Sequence, residues 1–409
     1  MKQPLSIAVA ALNAGRTDDA VREARLVWRV SGDFRAAALC ALVEIERGHP
    51  GAALDWTLLA SNAKPHDHRL HLQAGRLLSQ LGRLREALQA FEEAVQLAPM
   101  AAIAYLELGK ALVAANSKLR AVSILRQALT FDAPRNEALQ ALVDAIPTES
   151  APPSRVHVVP EYERVPISII CCSIDDSRFA RAHASYARAL ADWPHEFVKI
   201  DDAKSLAEGY TRALHFAKHP LVVFTHDDVE ILNDALGHRL QRHLDRCDIV
   251  GIAGAERATG PSWVHAGHPR LHGCVVLPDP RGYEVNIYSE RGPLIEGLQV
   301  LDGVFLAMRS ETARTVGWDA QTFTHFHAYD IDFTLRAAKM GYRIAAATDL
   351  GVLHHSRGGY GDAWAREAAK LVAKHPELGA VRGVSVQGFG RVLPDVEAVR
   401  SFCELWGAN

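Results

Sequence analysis

A chain of 409 residues with 45 Lys and Arg against 48 Asp and Glu carries a net charge of only −3, which gives no footprint for nucleic acid, a partner that usually needs a clustered basic surface. At 48% hydrophobic and 23% charged residues it has the make-up of a folded globular protein, and its length exceeds what one core usually holds. No apolar run approaches the roughly 20 residues of a membrane span, Pro4 and the early acids speak against a secretory signal, and six scattered cysteines form no disulfide framework, so a reduced cytoplasmic protein is expected.

The first third of the chain is periodic. Gly15, Gly48 and Gly82 recur at 33 and 34 residues, and Asn116 follows after another 34. Five residues beyond each stands an alanine (Ala20, Ala53, Ala87, Ala121), and Ala24, Thr57, Phe91 and Leu125 continue in phase, as do Val27, Ala60, Ala94 and Ala128. Small and apolar positions three or four apart line one helix face, while the Gly or Asn marks the turn between two helices. Pro65, Pro99 and Pro134 fall where a helix must stop. This pattern resembles the tetratricopeptide repeat (TPR) family over about residues 4 to 135, most clearly at Gly75, Gly82, Ala87, Phe91, Ala94 and Pro99. The resemblance implies an α-helical solenoid over residues 1–145 whose concave groove takes a peptide or protein partner or mediates homo-oligomerisation.

Residues 146–165 carry prolines without helical period and read as a linker. A buried strand is then expected at 167–173, a helix at 178–190, a strand at 196–201, a helix at 204–217 and a strand at 221–228. Such alternation predicts an α/β domain over 166–375 with a mostly parallel, Rossmann-like sheet, followed by a C-terminal extension over 376–409; from Lys370 the chain reads as two short helices around the irregular stretch GVSVQGFGRVLPD.

In such a sheet ligands bind beyond the carboxyl ends of the strands, where this chain places Ser173 with Asp175 and Asp176, Asp201 with Asp202, and His226-Asp227-Asp228. Three acid-rich strand ends suit a divalent cation that carries a diphosphate better than a free phosphate. His226-Asp227-Asp228 resembles the metal-binding DxD signature of GT-A glycosyltransferases, with His226 where the first Asp usually stands, and is similar to the His-x-Asp of family-2 members of the streptomycin-cluster type. Residues 301 to 344 are similar along their length to the acceptor half of family-2 glycosyltransferases. The matching residues are Asp302-Gly303, Arg309, Gly317-Trp318-Asp319, Tyr329-Asp330-Ile331-Asp332, Arg336 and Gly341 to Ile344. In that family the segment matching Tyr329-Asp330-Ile331-Asp332 opens with Glu where this chain has Tyr329, and its first Asp, here Asp330, is the catalytic base.

The resemblance implies an inverting hexosyl transfer from a UDP-, GDP- or dTDP-linked sugar. Nucleotide-sugar contacts are expected from Ser173, Asp201, Asp227, Asp302, Gly303 and Arg357, and Mn²⁺ or Mg²⁺ ligation from His226, Asp228 and His354. Asp332, Trp263 and His355 are expected on the acceptor side or supporting the site. Physics supports Asp330 separately, since inversion needs a carboxylate beside the acceptor nucleophile and the start of a helix favours one. A non-catalytic TPR scaffold with a degenerate transferase domain is the competing reading, based on His226 and Tyr329. A nucleotidyltransferase would want a glycine-rich basic loop after the first strand, where this chain has CSIDDSR.

Overall fold

A computed structural model describes residues 5–148, 158–289, 292–379 and 388–407, and the chain divides into two compact units, Met1–Ala145 and Ile146–Asn409. Residues 149–157 of the expected linker lie outside the described residues. No described helix is long and apolar enough to cross a membrane.

The first unit is helical throughout: α1 (Ser6–Asn13), α2 (Thr17–Ser31), α3 (Phe34–Glu46), α4 (Pro50–Ala63), α5 (His68–Gln80), α6 (Leu84–Leu97), α7 (Ala102–Ala114), α8 (Lys118–Thr130) and α9 (Arg135–Ala145). Each repeat is a helix pair. The turn within it needs a left-handed residue, supplied by Gly15, Gly48, Gly82 and Asn116 at φ of 72°, 73°, 73° and 55°, where other side chains would be strained. All four phased alanines, Ala20, Ala53, Ala87 and Ala121, are completely buried. A second column pairs a small residue with a large one. A Cβ on Gly75 would lie 2.5 Å from the Phe91 ring, and one on Gly109 would lie 2.4 Å from Leu125. Gly75→Val is therefore expected to destabilise the repeats by about 1–3 kcal/mol through overpacking, read as an earlier thermal transition, and Phe91→Ala in the same chain should recover part of that loss.

The second unit opens with β1 (Ile167–Cys172), α10 (Asp176–Ala189), β2 (His195–Ile200), α11 (Leu206–Ala213), β3 (Leu221–Thr225), β4 (Val229–Ile231), α12 (Leu236–Leu244), β5 (Ile249–Gly251) and β6 (Ala253–Ala255). It continues with β7 (Leu271–Asp279), β8 (Gly282–Ile287), β9 (Leu294–Glu296), β10 (Val300–Leu301), β11 (Phe305–Arg309), α13 (Ser310–Val316), α14 (Tyr329–Lys339), β12 (Ile344–Ala347) and β13 (Val352–His354), and closes with α15 (Asp362–Lys374), β14 (Phe389–Leu393) and α16 (Val396–Gly407). Its principal sheet runs β2-β1-β3-β11-β5-β12-β9, and a second sheet runs β10-β6-β7-β13-β4, with β8 on β7 and β14 on β8.

The principal sheet is mixed, which corrects the mostly parallel expectation. β1 is parallel to β2 and β3, and β5 to β12, but β11 inserts antiparallel between β3 and β5, and β9 is antiparallel to β12. That insertion positions the site. In its register Phe305 stands opposite Thr225, so the residues that lead into β11 lie beside those that leave β3. The β3 strand stops at Thr225, leaving His226-Asp227-Asp228 in the turn before β4. Past residue 375, β14 pairs along β8, so part of the stretch expected to be irregular is a strand, and α16 follows it as a helix; residues 380–387 lie outside the described residues.

Candidate functional site

A cavity of about 640 Å³ opens at the carboxyl ends of β1 and β3, against the entry to β11 and the start of α14. Ten of the residues singled out from the sequence line it: Ser173, His226, Asp227, Asp228, Trp263, Asp302, Gly303, Asp330, His354 and Arg357.

On the β1 side, Ser173 Oγ lies 2.7 Å from Asp227 Oδ2 and accepts the Asp175 N–H. Asp175 itself caps α10, accepting the N–H groups of Ser177 and Arg178, so it does structural work. Apolar Ile174, Ile200, Ala203 and Leu206 complete this wall.

Above the β3 turn, His354 Nε2 approaches Asp228 Oδ1 to 3.4 Å and His226 Nδ1 lies 4.0 Å from the same oxygen. One donor atom from each of His226, Asp228 and His354 falls within 4.8 Å of the other two, and all three side chains are only half buried. Burial pushes the Asp228 carboxyl up, but the hydrogen bond and charge of His354, with His226, outweigh it and hold the group below the usual carboxylate range. His226 is lowered by burial and by neighbouring His354. Burial also opposes protonation of His354, yet Asp228 raises it. Two imidazoles and a carboxylate converging on one point are a donor set that a divalent metal fits.

Across the cavity, the Gly303 N–H donates to Asp330 Oδ2 at 2.9 Å. Gly303 has no space for a side chain, since a Cβ there would meet the Tyr329 hydroxyl at 2.5 Å and Asp330 Cβ at 2.7 Å. Asp302 accepts the Val304 N–H at 3.0 Å and the Trp263 indole N–H at 2.8 Å, which fixes both side chains. Burial and then the charge of Asp302 raise the Asp330 carboxyl to about 7. The helix that carries Asp330 is entered through Ala328 in the left-handed region, φ 64°, a strained position of the kind that gathers at working sites. Beneath it lies an aromatic cluster: Trp318 stacks on Phe333 with centroids 3.9 Å apart, and Tyr210, Phe224 and Tyr329 pack around them.

Three expected residues are elsewhere. Asp332 is wholly buried on the far side of α14, bonded to Arg336 at 2.9 Å, Lys374 at 2.6 Å and His375 at 2.8 Å, so it ties α14 to α15 and cannot meet an acceptor. His355 turns away to Glu230, 2.7 Å distant. Asp201 is exposed at the end of the edge strand β2, outside the lining that Ile200 and Ala203 provide. Arg357 does line the cavity, but its guanidinium donates to Glu284 and to the Pro278 carbonyl, both at 2.9 Å.

Other lining residues were not singled out from the sequence: Phe326, His327, Tyr360 and Trp364. Tyr360 and Trp364 meet edge to face at 4.9 Å, and their i,i+4 spacing after a glycine pair was the available signal. Tyr329 was noticed only as a departure from a pattern, yet its hydroxyl lies 2.8 Å from His226 Nε2 and 3.3 Å from the Gly303 carbonyl.

The model of the "Glycosyltransferase like family" matches residues 168–373, just over half of the chain and the whole of this cavity's framework. The chain belongs to that family. A TPR-repeat model matches residues 75–115 of the first unit, so this glycosyltransferase carries a TPR region. No curated protein matches the chain. Among solved structures, MamA is 16% identical, covering 34% of this chain and 82% of its own at a TM-score of 0.33. YrrB, described as a TPR protein with an unusual peptide-binding site, is 17% identical over 34% of this chain and 73% of its own, TM-score 0.33. The PilF protein of Pseudomonas aeruginosa is 20% identical over 35% of this chain and 65% of its own, TM-score 0.31.

Proposed function

We propose that the glycosyltransferase domain performs an inverting, metal-assisted transfer from a nucleotide sugar. The observation that carries this reading is that Asp330 and the His226–Asp228–His354 cluster line one cavity. The nucleoside lies against Ile174, Ile200 and Ala203, with Ser173 and Asp227 at its polar edge. His226, Asp228 and His354 hold Mn²⁺ or Mg²⁺, which when bound neutralises charge on the departing nucleoside diphosphate. An acceptor hydroxyl enters from the side of Trp263, Tyr360 and Trp364. Its oxygen forms the new bond to the anomeric carbon as its proton passes to Asp330, and the anomeric bond to the diphosphate breaks with its electron pair going to the phosphate oxygen.

A base must be ionised to accept that proton. With its carboxyl raised to about 7, Asp330 is half ionised near neutrality, and kcat/KM is expected to climb with pH through about 7 and level off above it. A profile flat between pH 5 and 8 would remove Asp330 from the role.

Calorimetry with UDP and GDP, with and without Mn²⁺, tests the donor side, and a screen of UDP-, GDP- and dTDP-sugars for hydrolysis tests the chemistry. Nucleotide binding that needs metal supports the transferase, whereas its absence favours the scaffold. The repeats are proposed to recruit a protein or peptide acceptor. Unchanged transfer to a protein acceptor after deletion of residues 1–145 would count against that recruitment.

A further inference from the structure

The metal cluster differs from an all-carboxylate site in a way that bears on which ion it takes. Two of its three donors are imidazole nitrogens, and one of those rings is held from behind. His226 presents Nδ1 toward Asp228, and its other nitrogen, Nε2, is 2.8 Å from the buried Tyr329 hydroxyl. That hydroxyl is also 3.3 Å from the carbonyl of Gly303. A carbonyl only accepts, so the single hydroxyl proton points at Gly303, and the tyrosine oxygen accepts from His226. The chain of bonds then runs from His226 Nε2–H to Tyr329 and from Tyr329 to the Gly303 carbonyl. The ring proton then sits on Nε2, leaving the Nδ1 lone pair free to face Asp228 and His354. The opposite tautomer would place a proton on Nδ1, aimed at the ion's position, and would take the tyrosine's proton away from the Gly303 carbonyl. His226 and Tyr329 are also the two positions where this chain departs from the pattern it otherwise resembles, and they are bonded to each other.

We propose that His226, Asp228 and His354 form a two-nitrogen, one-oxygen site selective for Mn²⁺ or another first-row transition ion over Mg²⁺, with Tyr329 as the positioning residue that keeps His226 in its ligating tautomer. The inference rests on the metal-assisted reading above and narrows it. Mg²⁺ prefers oxygen ligands in near-ideal octahedral array and sheds water reluctantly, whereas imidazole suits the transition ions. A hydrogen bond behind a ligating imidazole is worth roughly 10- to 100-fold in metal affinity.

The test is Mn²⁺ binding to the full chain followed by electron paramagnetic resonance, with Mg²⁺ as competitor and nitrogen hyperfine coupling as the signature of imidazole ligation. The wild type should hold Mn²⁺ against a hundredfold excess of Mg²⁺ and show nitrogen coupling. Tyr329→Phe, which removes one oxygen from a ring held by its aromatic neighbours, should weaken Mn²⁺ binding roughly 10- to 100-fold at an unchanged circular dichroism spectrum. His226→Asp should let Mg²⁺ compete, giving a second readout that does not depend on how Tyr329→Phe folds. Displacement of Mn²⁺ by an equal concentration of Mg²⁺ in the wild type, or undiminished Mn²⁺ affinity in Tyr329→Phe, overturns the inference while leaving metal-assisted transfer standing. A wild-type chain that binds no divalent ion, with or without UDP, overturns both.

Discussion

Asp330→Asn is expected to lower turnover by roughly 10²- to 10⁴-fold, the usual worth of a general base, while donor and metal binding stay as they were. The substitution keeps the side-chain shape and the acceptor for the Gly303 N–H, and it removes only the ability to take a proton. It should also make the protein more stable at neutral pH. The folded-state carboxyl is raised to about 7, against about 4 in an unfolded chain, so the native state binds the proton more tightly. The resulting stabilisation is complete below about pH 4 and is lost as pH rises through about 7. At pH 8 the wild type carries the full cost of an ionised acid in this half-buried position, which asparagine does not. A gain in melting temperature together with a collapse in turnover is the expected pair of results, and full turnover in the variant would end the assignment.

Asp228→Asn is expected to cost roughly 10²- to 10³-fold in turnover, from several kcal/mol of lost charge stabilisation at the leaving group, and to abolish Mn²⁺ binding by calorimetry. Its effect on stability runs the other way. Asp228 is held below the usual carboxylate range by His354, so its contribution is present above the unfolded value near 4 and is lost as pH falls through the folded one. Removing that charge should therefore lower the melting temperature at pH 7. Two acids lining one cavity thus respond to the same chemical change with opposite shifts, and thermal scans of the two variants at pH 5 and pH 8 separate them. A higher melting temperature for Asp228→Asn at pH 7 would contradict the ion-pair account.

What could be read before the fold was known follows from how local each signal is. The repeats were legible because a 33- to 34-residue period places Ala20, Ala53, Ala87 and Ala121 at buried helix contacts. Strands β1 to β3 were legible as apolar runs joined by short helices. The direction of β11 was not, because pairing with β3 and β5 is a tertiary choice that leaves no period in Phe305–Arg309. Two of the expected residues that lie away from the cavity stand one or two positions from residues that line it. Asp330 and Asp332 stand about 200° apart around a helix, so one faces the cavity and the other faces Arg336 and the buried His375. His354 and His355 are neighbours on an extended chain and point to opposite sides, one toward Asp228 and the other toward Glu230. A motif marks the neighbourhood; the backbone period decides which member of it faces the cavity.

The insertion of β11 between β3 and β5 also bears on how the protein is made. During synthesis β3 emerges some 80 residues ahead of the strand that will cover its flank, and the TPR helices, whose contacts are local, are finished long before either. Until Phe305–Arg309 arrives, β3 and β5 present unpaired backbone on strands rich in Val, Ile and Phe, the kind of edge that sticks to other chains. A nascent polypeptide stalled after residue 300 is accordingly expected to hold folded repeats joined to an aggregating half-sheet, and its solubility should depend on chaperones until Phe305–Arg309 has emerged from the ribosome.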